Sequence, residues 1–248
     1  MPWVIAVLAA SIPLGATAFV LASPKFDITG SVVEGTTTVP AEDVNAKVTS
    51  YMDEPFLIVF HRRNRFLFDP TALKAVIGAS YAFDRIDIDK KDDLVTVHIQ
   101  EKVPRLIWRS GEHWYVADGS GTVIREITKE EADVSEDPTR PLPRFLDVDH
   151  ADVAVGGSVL RPDEAANALK FQELLRTQNI LFGTTRVDRL AGEWMSIETG
   201  DGFNVLFDPL ADVDKEAANL DAVLKNEVKD RSALTYVDVR FGDHVYFK

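Results

Sequence analysis

The sequence contains no cysteine, and this absence removes several classes of chemistry. A chain without cysteine can form no disulfide, no thiolate zinc site and no cysteine nucleophile. Basic residues are also few, 27 against 40 acidic residues, which gives a formal net charge of -13. Because phosphate binding needs clustered Lys and Arg, we expect no nucleic-acid partner. The 248 residues are enough to bury a core without a disulfide or a metal.

Recognisable catalytic and metal-binding motifs are absent as well. The five histidines are His61, His98, His113, His150 and His244, and none of them forms an HxH or HExxH spacing. No Gly-x-Ser-x-Gly motif occurs, and pairs of carboxylates are expected by chance among 40 acidic residues. Trp108, Trp114 and Trp194 could form a platform for a sugar, but such residues more often fill a sheet core. We therefore predict no catalytic residue, no metal, no cofactor and no small-molecule substrate, and thus no enzyme.

The first long feature that is present is a charge-free segment, residues 2–23. As a helix, its 22 residues would span roughly 33 Å, which is close to the thickness of a bilayer core. A cleaved signal peptide is the alternative, with Ala16-Thr17-Ala18 as the small-residue site, but its apolar core would be shorter. The length favours an uncleaved transmembrane anchor over residues 1–24. No Lys or Arg precedes the segment to set its orientation.

The stretch from Thr71 to Pro104 organises the next region. Asp69 is a suitable N-cap for a helix that starts with Pro70 and ends at Gly78. Apolar residues then alternate with polar ones on both sides of a turn at residues 90–93, which predicts a hairpin. Upstream, residues 26–38 predict a strand, and a helix from about residue 40 would place Val44, Val48 and Met52 on one face. Residues 25–103 therefore read as strand, helix, helix, strand, strand.

Residues 104–248 predict a second, β-rich domain with a mixed or antiparallel sheet and two helices. Short apolar runs separated by Gly-containing turns predict strands within residues 105–127, and further strands at 186–190, 194–198 and 203–207. The two helices are predicted over residues 161–178 and 213–230, from the helical spacing of their apolar residues. The predicted fold class of the whole chain is α+β, with an N-terminal transmembrane helix.

The last residues of the chain predict a β-hairpin around Gly242 and Asp243. Val237 and Val239 alternate with polar residues on the first strand, and Val245 and Phe247 follow at the same period. If Arg240 pairs with His244, Val239 lies opposite Val245 and Val237 lies opposite Phe247. This register keeps the apolar side chains on one face of the hairpin. We therefore predict a three-residue loop, Phe241 to Asp243.

The order of these motifs resembles the FtsQ/DivIB family of bacterial division proteins. The strand-helix-helix-strand-strand order, with a glycine placed after the first strand and Glu101-x-x-Pro104 at the end, looks like a POTRA domain, the module associated with polypeptide transport. Trp108 and the run Val116-x-Asp118-x-x-Gly121-x-Val123 follow in the family's order. The run Tyr236-Val-Asp-Val-Arg-Phe241 is similar to the family's Tyr-Val-Asp-Leu-Arg-Tyr. The resemblance covers roughly residues 26–248.

The resemblance implies a division scaffold that acts by recognition. Such a protein would be a single-pass protein of the plasma membrane at the division septum, with most of the chain extracytoplasmic. Its last strands would bind an FtsB/FtsL-like pair by adding a strand to an exposed edge. The implied partner-binding residues are Tyr236, Asp238, Arg240, Phe241, Val245 and Phe247. The alternatives are a POTRA-containing protein of outer-membrane transport or assembly, and an exported binding protein or enzyme whose site is assembled from distant residues.

Overall fold

The structure is a computed structural model that describes residues 13–57, 60–134, 141–190, 192 and 194–248. The chain divides into two compact units, Met1–Lys102 and Val103–Lys248. The sequence had suggested a division after residue 103. Helices and sheets occur in both units, so the predicted α+β class is confirmed.

The predicted anchor overlaps the described residues only in part, because residues 1–12 lie outside them. Residues 13–22 are helical. In the part of the chain that the structure describes, no helix combines the length and the apolar character needed to cross a bilayer. The transmembrane anchor over residues 1–24 therefore stays a prediction.

The first unit has the predicted order of strand, helix, helix, strand, strand, with one small hairpin added between its helices. Its three-stranded sheet has the order β1-β5-β4, in which β1 runs parallel to β5 and β4 runs antiparallel to it. The elements are β1 (Gly30–Glu34), α1 (Ala41–Asp53), β2 (Pro55–Phe56), β3 (Phe60–His61), α2 (Pro70–Gly78), β4 (Phe83–Lys91) and β5 (Leu94–Glu101).

The helices of this unit form where local chemistry favours them. The Asp69 side chain accepts a hydrogen bond from the Thr71 N–H at 2.8 Å, so the predicted N-cap of α2 is confirmed. The predicted apolar face of α1 is also confirmed, since Val44, Val48 and Met52 are all buried against the sheet and α2. The turn between β4 and β5 is tighter than predicted, because β4 continues to residue 91 and leaves only residues 92 and 93 in the turn.

Glycine is required just after β1, at Gly35. Gly30 begins β1, and the glycine that follows this strand is Gly35, with a φ of +87°. A Cβ atom at Gly35 would lie 2.1 Å from the main-chain oxygen of Ile99. Only a residue without a side chain can satisfy both the positive φ and this close approach.

Glu101, the first residue of the Glu-x-x-Pro motif, closes the connection between β1 and α1. Its carboxylate accepts hydrogen bonds from the main-chain N–H groups of Thr37, Thr38 and Val39, at distances from 2.7 to 3.2 Å. The hydroxyls of both threonines donate to it as well, at 2.8 and 2.5 Å. Partial burial alone would raise the pKa of Glu101, but these donors outweigh it and lower the pKa to about 2. This motif residue therefore has a structural role in the first unit.

The second unit is built on one nine-stranded mixed sheet, with the order β14-β13-β12-β11-β10-β9-β6-β7-β8. The two predicted helices, α4 and α5, are present, and a short further helix, α3, follows β8. The strands are β6 (Leu106–Ser110), β7 (His113–Ala117), β8 (Val123–Ile127), β9 (Arg144–Asp147), β10 (Phe182–Asp188), β11 (Trp194–Thr199), β12 (Asn204–Phe207), β13 (Tyr236–Phe241) and β14 (His244–Phe247). The helices are α3 (Lys129–Asp133), α4 (Pro162–Thr177) and α5 (Val213–Asn226).

The main core of this unit lies on the face of the sheet that α4 and α5 cover. Phe171 of α4 stacks on Phe207 of β12 with ring centroids 4.3 Å apart, and both rings are fully buried. Trp108 is buried in the same core, as predicted for a tryptophan that fills a sheet. A smaller core lies around Ile107 and Ile124, where Ala132 of α3 covers the β6-β7-β8 end.

The Val-x-Asp-x-x-Gly-x-Val run also has a structural role. The Asp118 carboxylate accepts hydrogen bonds from the N–H groups of Ser120 and Thr122, at 2.9 and 3.0 Å, which fixes the turn between β7 and β8. Gly121 has a φ of +79°, and a Cβ atom there would lie 2.5 Å from the Leu160 oxygen. The turn thus needs glycine for its backbone shape and for its contact with the segment before α4.

Candidate functional site: an open strand at the C-terminal hairpin

The final hairpin keeps the predicted pairing at its base but not at its turn. Val237 lies opposite Phe247, as predicted. The predicted three-residue loop from Phe241 to Asp243 is wrong, because Phe241 pairs with His244 and only two residues form the turn. Strand β13 contains one more residue than β14 in this region, in a bulge between Asp238 and Phe241. The bulge allows a two-residue turn and keeps the apolar side chains on one face of the hairpin. Gly242 supplies the positive φ, +65°, that such a turn requires.

The two ends of the nine-stranded sheet differ in how far they are covered. At the β8 end, the segment before α4 bonds to the edge: the Val123 N–H donates to the Gly157 oxygen at 2.8 Å, and the Gly156 N–H donates to the Val123 oxygen at 2.9 Å. At the other end, β14 pairs with β13 on one side and, in the described chain, with no strand on the other. An open edge offers unpaired main-chain groups to a second chain.

The hydrogen-bond pattern shows which main-chain groups of β14 face outward. Tyr236 and Lys248 exchange both hydrogen bonds, at 3.4 and 3.2 Å, so they form a hydrogen-bonded pair. Such pairs alternate with non-bonded ones along an antiparallel ladder. The N–H and C=O groups of Val245 and Phe247 therefore point to the open side. They form the part of the edge that can accept another strand.

The six predicted partner-binding residues fall into three groups. Phe241 and Phe247 are exposed, with 53% and 42% of their surface accessible. Tyr236 and Arg240 are half-buried, and Val245 packs partly against the core. Asp238 is buried, with 6% of its surface accessible. The structure brings the two phenylalanines to the surface of one hairpin, but it turns Asp238 inward.

The Asp238 and Arg240 side chains bind each other. The guanidinium of Arg240 donates to both carboxylate oxygens of Asp238, at 2.8 and 2.6 Å. It also lies over the ring of Trp194 at 4.9 Å and over that of Phe241 at 5.5 Å. The hydrogen bonds with Asp238 are the main cause that raises the pKa of Arg240. The pair therefore fixes the shape of the bulge and the position of the neighbouring aromatic rings.

Helix α5 holds the tip of the hairpin from the other side. The Lys215 ammonium lies 2.7 Å from the Asp243 carboxylate, and the Asn219 amide donates to the Gly242 oxygen at 2.6 Å. Both contacts end in the two-residue turn. An exposed ion pair contributes little to stability on its own. We therefore expect the Asn219 hydrogen bond to stabilise the turn more than the Lys215 ion pair does.

Glu216 lies between these two helix residues in sequence and points inward. It is 3% exposed, and one carboxyl oxygen accepts a hydrogen bond from the Asp208 N–H at 3.2 Å. The other oxygen, Oε2, has no hydrogen-bond partner among the described residues. Burial is the main cause that raises the pKa of Glu216, to about 8, and the charges of Asp208 and Asp238 add to the increase.

Sequence reasoning did not place Tyr246, Trp194 or Glu216 at this site. Tyr246 is 54% exposed and meets Phe241 edge to face at 5.4 Å. Tyr246 could have been identified from the sequence, because it alternates with Val245, whose side chain points inward. Trp194 and Glu216 lie far from the hairpin in sequence and reach it only through the strand order, which no local pattern indicates.

Neither the protein-family models nor the curated proteins contain a match to this sequence. Within the described ranges, no group of three or more His, Asp or Glu side chains could hold a metal ion. The open edge of β14, with its aromatic residues and its fixed Asp238–Arg240 pair, is therefore the candidate functional site.

Proposed function

We propose that the chain is a bacterial division scaffold of the FtsQ/DivIB type, which binds an FtsB/FtsL-like pair through the open edge of β14. In this proposal the first unit is a POTRA-like domain and the second is the family's β domain. Residues 1–24 anchor the chain as a single-pass protein of the plasma membrane. Both units lie outside the cytoplasm, at the division septum.

The observation that carries the proposal is the difference between the two ends of the nine-stranded sheet. At the β8 end, Val123 is bonded to the segment before α4, whereas β14 presents the outward groups of Val245 and Phe247. Exposed Phe241 and Tyr246 lie beside this edge. An added strand would bond to the outward main-chain groups, and its side chains would meet these rings.

Two substitutions at Phe247 separate the side chain from the main chain. Phe247→Ala removes the ring only, while Phe247→Pro also removes the outward N–H, which makes no bond within the ladder. We expect proline to weaken binding of the soluble FtsB–FtsL pair about tenfold more than alanine does, because one or more intermolecular hydrogen bonds are lost. Titration calorimetry of the purified chain with that pair measures both affinities.

Equal affinities of the two Phe247 variants would contradict binding by strand addition. Two further variants test the neighbouring side chains: Arg240→Glu and Phe241→Ala should each reduce capture of the same pair. Full capture by both would count against this edge as the interface. In cells, a fluorescent fusion of the full chain should collect at mid-cell, and an even distribution around the membrane would refute the septal role.

A further inference from the structure

Glu216 lies on α5, the helix that holds the turn of the C-terminal hairpin, so a change in its protonation can affect the position of the open edge. Its neighbours along α5, Lys215 and Asn219, hold the two-residue turn between β13 and β14. Its own side chain is buried, with one oxygen bonded to the Asp208 N–H and the other without a partner among the described residues. A buried carboxylate oxygen that makes no hydrogen bond is costly, whereas a protonated carboxyl group costs much less.

We propose that Glu216 is a positioning residue that holds the hairpin edge in place while its carboxyl group carries a proton, and that loss of this proton loosens the edge. The C-terminal edge would then be a pH-dependent interaction surface. The effect on partner binding rests on the proposed function, but the response of the hairpin itself does not.

The charges around Glu216 come from the segment after β12 and from β13. Asp208 follows β12 and supplies both the N–H bond and a like charge, and Asp238 on β13 supplies a second like charge. Arg240, also on β13, is the cation whose charge favours ionised Glu216. Its guanidinium is already bound to both oxygens of Asp238, so the neutral carboxyl group fits the observed arrangement.

Ionisation of Glu216 would create competition for Arg240. The new carboxylate would attract the guanidinium away from Asp238, which is itself buried and would lose its two charged hydrogen bonds. Because Arg240 also lies over the rings of Trp194 and Phe241, its movement would change both ring environments. The bulge would thus have two arrangements, selected by one proton.

Trp194 provides a signal for this change that does not need a partner. We expect the tryptophan fluorescence of the full chain to change with a midpoint near pH 8, and the change to be absent in Glu216→Gln, which cannot ionise. Trp194→Phe should remove the signal and so assign it. Amide exchange of residues 236–247, corrected for the intrinsic effect of pH, should speed up about tenfold from pH 7 to pH 9 in the natural chain only, because the ionised fraction of a group with a midpoint near pH 8 rises from about one-eleventh to about ten-elevenths.

Two controls separate titration of Glu216 from general effects of mutation. Glu227→Gln removes an exposed carboxylate from the end of the same helix and should leave the fluorescence midpoint unchanged. If Glu216→Gln fails to fold by circular dichroism, Glu216→Met is a second neutral variant that removes the need for any hydrogen bond. A midpoint near pH 8 that persists in the neutral variant that folds would overturn the proposal, as would a natural chain with no transition between pH 6 and pH 9.

The binding experiment distinguishes this inference from the proposed function. With the FtsB–FtsL pair as the probe, the natural chain should bind at least about fivefold more weakly at pH 9 than at pH 7, and Glu216→Gln should bind equally at both values. Binding without pH dependence would refute the control by Glu216 and leave the scaffold function intact. No binding at either pH, together with a clear hairpin transition, would refute the proposed partner and leave the titration of Glu216 in place.

Discussion

Glu101 offers the most direct test of how the first unit is held together. Its carboxylate receives hydrogen bonds from Thr37, Thr38 and Val39, which lie in the connection between β1 and α1. Its pKa is about 2 in the folded chain, against an ordinary value of 4.5. A fully buried carboxylate with this shift would contribute roughly 3 kcal/mol at neutral pH, since each pKa unit represents about 1.36 kcal/mol. Because Glu101 is only partly buried, solvent screens its interactions, and we expect Glu101→Gln to destabilise the first unit by about 1–2 kcal/mol.

The sign of the pH dependence follows from the lowered pKa. The contribution of Glu101 is fully present above pH 4.5 and is lost as the pH falls toward 2, because the native carboxylate must then take up a proton. The natural chain and Glu101→Gln should therefore differ most at pH 7. Near pH 2 their stabilities should converge.

Hydrogen exchange measured by mass spectrometry on the full chain can follow the two units separately. Peptides from α1 and from β4 and β5 should lose protection in Glu101→Gln by roughly 10-fold at pH 7, since about 1.4 kcal/mol corresponds to a factor of 10. Peptides from α4 and α5 are the internal control and should not change. Glu34→Gln is the matched variant, because Glu34 is an exposed acid on the same sheet that pairs with His98 at 3.2 Å. It should cost less than about 0.5 kcal/mol.

Equal protection in Glu101→Gln and the natural chain would refute the role of this carboxylate. A difference that is as large at pH 2.5 as at pH 7 would show that the side chain acts through packing and not through its charge.

Three further predictions concern the second unit. Gly121→Ala should destabilise it by about 2 kcal/mol or more in urea unfolding followed by tryptophan fluorescence, because of the positive φ and the 2.5 Å approach to the Leu160 oxygen. Phe171→Ala should cost about 3–5 kcal/mol in the same assay, since it removes a buried ring that stacks on Phe207. The pKa of Glu216 is about 8 in the folded chain, against an ordinary value of 4.5. Its contribution to the free energy of unfolding is therefore fully present below pH 4.5 and is lost as the pH rises through 8. Glu216→Gln should remove up to about 4 kcal/mol of that decline in the unfolding free energy, measured by urea titrations between pH 5 and pH 9.

Features that depend on neighbours in sequence were predicted correctly. The N-cap at Asp69, the buried face of α1 and the pairing of Val237 with Phe247 each follow from residues that are close along the chain. Periodicity and capping are local effects, so a single sequence contains them. The errors at the two hairpin turns are local as well. In the last hairpin, a bulge adds one residue to β13, and the alternation of apolar residues does not show where that residue is placed.

The candidate site was only partly predictable, because it depends on the strand order. The sequence pattern of the last hairpin indicated the aromatic residues that lie on it, but not that β14 would be the open edge of nine strands. The helical spacing puts Glu216 on the buried face of α5, three residues after Val213 and four before Leu220. Its place near Asp238 and Arg240, however, depends on α5 packing beside β13, which is a property of the tertiary fold.

The residues that carry the family resemblance have two different roles in this structure. Glu101, Asp118 and Gly121 fix connections by hydrogen bonds and close backbone contacts, and none of them lies on β13 or β14. Asp238 and Arg240 instead set the bulge beside the open edge. Substitutions in the first group should change stability in proportion to their contacts. Arg240→Glu should reduce both stability and binding, because it leaves the buried carboxylate of Asp238 beside a second carboxylate. Exposed Phe241 is the residue that should change binding with a smaller effect on stability. A stability loss in Phe241→Ala as large as that in Phe171→Ala would mean that its ring also belongs to the scaffold, and the functional edge would then reduce to the outward groups of β14 alone.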